Sequence, residues 1–211
     1  MAPGTGSNLR DHDTFPLLSQ IEKGDTVSDR YWMLDLSGGM YRPHRHWCFL
    51  GEINNYDNGV FRVMLDVCDM EGRRLPVCFY TQDKGLSIYH SCKEGYTVAV
   101  LYPEQFYFRE GIPGVKVKSV KQVKIIPHSL KTLLAANDLI FSKDAAEKCS
   151  GCEKTTALSR CGRCEKAYYC GEECQRNAWM AGHKSECRAV GALSWFTEKD
   201  WESFDGLFAF Q

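Results

Sequence analysis

The stretch "CGRCEKAYYCGEEC", residues 161–174, puts four cysteines into fourteen residues. One zinc held by all four thiolates is the simplest reading of it; two metals drawing on it jointly is the other. The flanking residues decide. Written out from Cys149 to Cys187, the segment is "CSGCEKTTALSRCGRCEKAYYCGEECQRNAWMAGHKSEC", with spacing C-x2-C-x8-C-x2-C-x5-C-x3-C-x8-H-x3-C and His183 as its histidine. These are eight soft donors in four pairs, and a tetrahedral zinc takes four, so the segment is expected to hold two zinc ions. A C-x2-C pair grips a metal from a tight turn, while C-x3-C and H-x3-C place donors one helical turn apart. Spacing alone does not fix which pairs share a metal.

The rest of the composition agrees with a metal-binding, reducing-side protein. The chain has 211 residues, 44% hydrophobic, and eleven cysteines, seven of them between Cys149 and Cys187. No apolar run approaches the ~18 residues needed to span a bilayer. The start, "MAPGTGSNLRDHDTFPLL", lacks the basic and apolar regions of a secretory signal. Nucleus or cytoplasm, and no membrane, is the expected setting, where clustered cysteines mean metal rather than disulfides.

The order of the ligand pairs, the Tyr169-Cys170 dipeptide and the "CQ…W…HK…C" pattern at Cys174, Gln175, Trp179, His183 and Cys187 resemble the MYND zinc finger over about 40 residues. A RING finger is similarly cross-braced but usually carries its histidine in the middle of the ligand series. The resemblance implies interleaved pairs: Cys149, Cys152, Cys170 and Cys174 on one zinc, Cys161, Cys164, His183 and Cys187 on the other. The opening stretch then contributes two ligands to each metal. With every coordination position filled, both ions are structural, and ~10–16 kcal/mol of metal binding replaces the core so short a segment cannot build. The formal net charge of −1 becomes about −4 once seven thiolates and two Zn²⁺ are counted, which argues against nucleic acid as the default partner.

Ahead of the finger the pattern is β-rich. Strands are expected at "HWCFLGEI" (46–53), "VFRVMLDV" (60–67, with Phe61, Val63, Leu65 and Val67 on one side) and "RRLPVCFY" (73–80, where Pro76 suggests an edge or a bulge). "INNYDNGV" (53–60) reads as a turn at its Asn-Gly, and "GLSIYHSCKEG" (85–95) as a short helix ending at glycine. "YTVAVLY" (96–102), "GVKVKS" (114–119) and "VKIIP" (123–127) complete the strands. Three strands, a helix and further strands resemble the OB-fold, a five-stranded Greek-key barrel. "SLKTLLAANDLIFSKDAAEK" (129–148) reads as a connecting helix with Ser129 as N-cap; "LSWFTEKDWESFDGLFAF" (193–210) reads as an aromatic helix with Thr197 and Asp200 resembling a capping box.

The expected architecture is therefore mostly β with a small zinc-bound α/β finger. It comprises a partly flexible segment (1–30), an OB-like barrel (31–128), a helical connector (129–146), a MYND finger (147–188) and an aromatic C-terminal helix or tail packed on the rest (189–211). The resemblance implies that the finger binds a short proline-containing segment of a partner protein. Gln175 and Trp179 stand at i and i+4, one offering an amide to a peptide backbone and the other an indole platform to a proline ring. Gly162, following Cys161, departs from members that carry a hydroxyl residue there. A non-enzymatic adaptor follows, with transcriptional regulation as one setting.

The alternative is single-stranded nucleic acid on the outward face of the barrel. Arg62, Arg74, Tyr80, Lys116 and Lys118 are its candidates, with Tyr102, Phe106, Tyr107 and Phe108 from "YPEQFYFREG" and further lysines of "KVKSVKQVK". Residues 30–128 carry 13 Lys/Arg against 10 Asp/Glu, a mild excess. "HRHWC" (44–48) could place His44, His46 and Cys48 on one strand face as a metal site. MYND fingers also occur inside SET-domain lysine methyltransferases, but no SET-like segment, phosphate loop or nucleophile motif is evident, and no enzyme is expected.

Overall fold

The computed structural model describes residues 7–24, 26–59, 61–108, 111–142 and 146–210. Val60, expected to open the second strand, residues 143–145 of the connector and residues 1–6 of the flexible segment lie outside these. The chain divides into two compact units: Leu9–Leu130 with Asp200–Gln211, and Met1–Asn8 with Lys131–Lys199.

The first unit is built on strands. A hairpin of β1 (Trp32–Asp35) and β2 (Met40–Pro43) stands as its own two-stranded sheet. Then follow β3 (Cys48–Asn58), β4 (Val63–Cys68), β5 (Arg74–Phe79), the short helix α1 (Leu86–Tyr89), β6 (Thr97–Leu101), β7 (Gln105–Tyr107), β8 (Pro113–Val117) and β9 (Val123–Ile126). Their order in the sheet is β7-β8-β5-β4-β3-β6-β9. β3, β4 and β5 form an antiparallel meander, β6 returns to pair with β3, and β8 runs parallel to β5. This is the OB-type path.

The expected five-stranded closed barrel is replaced by a seven-stranded sheet whose ladder does not close. The last strand of the pattern is broken at Val120–Gln122 by a 3₁₀ turn, which the Ser119 side chain caps at Lys121 N–H. Its first half, β8, pairs with β5, and its second half, β9, pairs with β6, so no ladder joins the two ends. The sheet is nevertheless rolled. Val117 and Val123 are six residues apart, a reach of ~20 Å, whereas five strand spacings laid flat would separate β8 from β9 by ~24 Å.

Alternation along the strands explains the core. Val63, Leu65 and Val67 of β4, Leu75, Val77 and Phe79 of β5, Val98 and Val100 of β6 and Val115 and Val117 of β8 are buried together around Phe49 and Ile53. Pro76 sits inside the sheet, opposite Asp66, rather than on an edge. Its missing N–H is tolerated because the β5–β8 ladder starts one residue later, at Val77↔Val115. Gly114 beside it has no room for a side chain: a Cβ there would lie 2.5 Å from the Pro76 carbonyl oxygen and 2.6 Å from the Phe108 ring. Gly85 opens α1 at φ 86° with Phe79 equally close. The Ser87 side chain foremost, then the Thr81 hydroxyl and the N–H groups of Ser87 and Gly85, hold the Asp83 carboxylate well below the usual carboxylate range.

Several expectations change. β3 runs through the polar stretch read as a turn, past an irregularity between Ile53 and Asn55, and the chain reverses only after Asn58. Phe61 precedes β4 instead of facing the core and is 75% exposed. The N-terminal residues expected to be flexible include Leu9, Phe15, Leu17 and Ile21, all buried. The helix expected after Thr197 does not form. Thr197 closes a helix, its hydroxyl bonding back to the Leu193 carbonyl, and Asp200 caps a turn by accepting from the N–H groups of Glu202 and Ser203.

The tail 200–210 packs instead on the sheet unit through Trp201, in edge contact with Phe15, and through Phe208, stacked at 3.6 Å on His46. His46 is fully buried, its Nε2 lying 3.1 Å from the Ser203 carbonyl and its Nδ1 2.6 Å from the Tyr102 hydroxyl. A carbonyl only accepts, so Nε2 carries the proton and Nδ1 accepts from Tyr102, whose oxygen in turn accepts from Phe208 N–H. His44 reaches the Asp29 carbonyl and Cys48 donates to the Phe49 carbonyl, and among the described residues His44, His46 and Cys48 do not gather their donor atoms into a group that could hold a metal.

The second unit contains most of α2 (Leu130–Phe141), a hairpin of β10 (Ser159–Arg160) and β11 (Tyr168–Tyr169), α3 (Glu172–Ala178), a π-helical turn at Trp179–His183 and α4 (Lys184–Thr197).

Gly114→Ala is expected to cost about 2 kcal/mol of stability, read as a lower denaturation midpoint. Asp83→Ala, removing the acceptor of the Gly85 and Ser87 N–H groups at the start of α1, is expected to cost about 1 kcal/mol. Because the Asp83 carboxyl is held below its unfolded value, its contribution is present at neutral pH. It is lost as pH falls from the ordinary carboxylate range, so the Asp83→Ala deficit should shrink in acid.

Candidate functional site

Two groups of side chains gather donor atoms: Cys149, Cys152, Cys170 and Cys174, and Cys161, Cys164, His183 and Cys187, each set within 4.8 Å of one another. The sulfur pairs Cys152–Cys170, Cys170–Cys174 and Cys161–Cys187 are 3.5, 3.7 and 4.0 Å apart, and Cys164 Sγ lies 3.7 Å from His183 Nε2. Tetrahedral zinc with Zn–S of about 2.3 Å requires donors ~3.5–3.8 Å apart. The donor sets fit two zinc ions, and the pairs interleave as the resemblance implied.

Local structure explains how each pair is presented. The two C-x2-C turns are alike. Glu153 N–H bonds the Cys149 carbonyl, and Glu165 N–H bonds the Cys161 carbonyl. The residue after each second cysteine, Glu153 at φ 61° and Glu165 at φ 56°, is left-handed. The β10–β11 hairpin carries the second turn and delivers Cys170 at its end, α3 carries Cys174, and the π-helical turn carries His183. Burial disfavours the Cys149 thiolate, but N–H groups led by those of Cys170, Gly151 and Cys152 outweigh it and bring its pKa down to about 6. Cys161 reaches about 6 in the same way, with Cys164 N–H and the His183 ring foremost. The helix-borne thiols of the same groups go the other way: Cys174, through its contacts with Cys152 and Cys170, and Cys187, through burial beside Cys164 and Cys161, are pushed up to about 12. On the far side of the His183 ring, Nδ1 faces the Glu186 carboxylate at 3.7 Å, which orients Nε2 toward the metal.

Gln175 and Trp179, half-buried, follow one another along the helical stretch between Cys174 and His183. Trp179 also packs on the finger's small interior, with Tyr169, Ala167 and the ligand cysteines.

On the sheet unit, Arg62, Tyr80 and Lys116 come together: the Arg62 guanidinium lies 3.5 Å and the Lys116 ammonium 4.6 Å from the Tyr80 ring centre. Lys116 also stands 4.7 Å over Phe106. Arg74 is taken up by Asp66, and Lys118 by Glu104. A groove of about 710 Å³ opens here, lined by Asp57, Phe61, Arg62, Met64, Tyr80 and Phe108 among others. Sequence reading missed Asp57 and the outward Phe61. The signal was the Asn58-Gly59 turn, which ends the alternation before Phe61.

Comparison with known proteins agrees with the finger's geometry. Residues 145–187 match the family described as "MYND finger", and this segment is a MYND finger. Among similar proteins, "N-lysine methyltransferase SMYD2-A" of Danio rerio is 48% identical over 105 residues, 40% of this chain and 21% of that protein. "Histone-lysine N-methyltransferase ASHR1" of Arabidopsis thaliana is 26% identical over 114 residues, 54% of this chain and 19% of that protein. The chain thus spans about a fifth of the length of these relatives. For the sheet unit, the structure of the S. pombe Stn1-ten1 complex aligns with TM-score 0.32 and 22% identity over 48% of this chain and 70% of that one. Schizosaccharomyces pombe Pot1pC bound to ssDNA aligns with TM-score 0.32 and 10% identity over 45% and 87%. The OB-type assignment rests on strand order and register, not on these likenesses. Among the described residues, no helix is long and apolar enough to cross a membrane.

Chelation should remove two zinc ions per chain and abolish the helical signal of α3 and the π-helical turn. A finger that kept its fold without metal would contradict the structural role of the ions.

Proposed function

We propose that this protein is a non-enzymatic adaptor whose MYND finger captures a short, extended, proline-containing segment of a partner protein. The observation that carries the reading is the helical stretch from Cys174 to His183, gripped at its two ends by different zinc sites, with Gln175 and Trp179 between them. The Gln175 amide makes no side-chain hydrogen bond among the described residues and is available to a peptide backbone. The indole beside it offers a flat apolar surface to a proline ring. The methyltransferase activity named for the relatives belongs to proteins of which the matched segment is only about a fifth, and both metal sites here have complete donor sets that leave no position for an activated water. A nuclear role in transcriptional regulation is one setting for such an adaptor.

A phage-displayed peptide library selected on the zinc-loaded protein is expected to return proline-containing sequences. Gln175→Ala should weaken a selected peptide by about tenfold, the loss of one buried hydrogen bond, with an unchanged zinc content. Equal affinity for the variant would remove Gln175 from the site.

A second reading is favoured by the cation–aromatic cluster of Arg62, Tyr80, Lys116 and Phe106: single-stranded nucleic acid on the sheet unit. Counterion release makes such binding fall steeply with salt, whereas a proline–indole contact barely responds. Fluorescence anisotropy of a labelled oligonucleotide at low and moderate salt separates the two.

A further inference from the structure

Among the described residues, ten of the fifteen large apolar side chains that stand exposed fall into two patches, the β1–β2 hairpin region and the groove beside Tyr80. The groove differs from the hairpin in having opposite charges at its two ends. At one end the Asp57 carboxylate enters no ion pair or hydrogen bond among the described residues, and it leans toward the Gly59 turn. At the other, Lys116 and Phe106 lead into a second hollow of about 620 Å³ where Lys23 also stands and where Lys118 is paired with Glu104.

Tyr80, the aromatic that sequence reading singled out, is 38% exposed and already carries two cations on its ring. Phe61 is 75% exposed and has no ring partner among the described residues. It is the aromatic face left open to a planar ligand.

We infer that this groove is a nucleobase pocket selective for bases that carry an exocyclic amino group, an inference that rests on the nucleic-acid reading above. Phe61 stacks the base, Asp57 accepts from its amino group, and the lysine-lined hollow beyond Phe106 takes the phosphate that follows. The charge pattern favours that orientation: a phosphate beside Asp57 would be repelled, while beyond Phe106 it meets Lys116 and Lys23; Arg62, also lining the groove, is held over the Tyr80 ring. A carboxylate is the natural acceptor for cytosine N4 and meets repulsion from the O4 that thymine presents at the same place. Cytosine and thymine stack comparably, so the difference between them reads Asp57 rather than Phe61.

The test is anisotropy of oligo(dC) and oligo(dT) of equal length, at low salt, on the full zinc-loaded chain and on Asp57→Asn and Phe61→Ala. Oligo(dC) is expected to bind about tenfold tighter than oligo(dT), one good base contact. Asp57→Asn, whose amide both donates and accepts, should bring the two within about twofold. Phe61→Ala, truncating an exposed side chain and leaving the melting midpoint unchanged, should weaken both. Removing a negative charge alone would strengthen both oligonucleotides equally and leave their ratio in place. Salt-sensitive binding with no preference between them, or a preference that survives Asp57→Asn, overturns the base pocket while leaving the nucleic-acid reading standing. Absence of binding to either oligonucleotide overturns both, and leaves the groove to a protein ligand with a basic residue for Asp57.

Discussion

Zinc–thiolate coordination does in the finger what a hydrophobic core does in a larger domain, and the interleaving of the ligand pairs decides how. Each ion takes one pair from the first half of the segment and one from the second, so neither half can fold without the other. The helical stretch bearing Gln175 and Trp179 begins at a ligand of one ion, Cys174, and ends at a ligand of the other, His183. Both ions are therefore needed to fix the orientation of that helical face. The interior between them is small, Ala167, Tyr169 and part of Trp179, and it follows the metals rather than leading them.

This explains why the finger was readable from sequence almost completely. Eight soft donors in four pairs state their chemistry directly, and only the pairing needed the family pattern. In the sheet unit, legibility tracked side-chain alternation. Val63-Leu65-Val67 and Leu75-Val77-Phe79 could be placed because a strand with one buried face repeats every second residue. The reading failed where burial and polarity part company. Asn54 to Asn58 look like a loop, yet the backbone of β3 keeps pairing with β4 there, since ladder hydrogen bonds do not depend on side-chain type. Leu9, Phe15, Leu17 and Ile21 are buried at spacings that match neither a helix nor a strand, so no periodicity betrays them. The candidate groove was legible in its lysines and in Tyr80, but not in Asp57 and Phe61, whose places depend on where the β3–β4 hairpin turns.

The division of the outer sheet face follows from the broken last strand. Had residues 113–126 run straight, one strand would have closed the ladder between β5 and β6. The turn at Val120–Gln122 instead leaves β8 to pair with β7 on its free side. That extra strand brings Phe106 next to Lys116 and Phe108 near Tyr80, at 6.3 Å between ring centres. An interruption in the barrel is thus what builds the wall of the groove.

Chain order adds a last constraint. The chain leaves the sheet unit at Leu130 and re-enters it at Asp200, so residues 131–199 form an excursion whose two ends both connect to the sheet unit. The returning tail is held by His46, Tyr102 and the buried Trp201. If the insertion of about 70 residues were an unfolded chain, bringing the tail back would carry a closure entropy of about 4 kcal/mol beyond a constant. That is of the same order as burying two aromatic side chains. A zinc-bound finger has its own ends already fixed and removes most of that cost. Metal binding in one unit therefore supports tail docking in the other through chain connectivity.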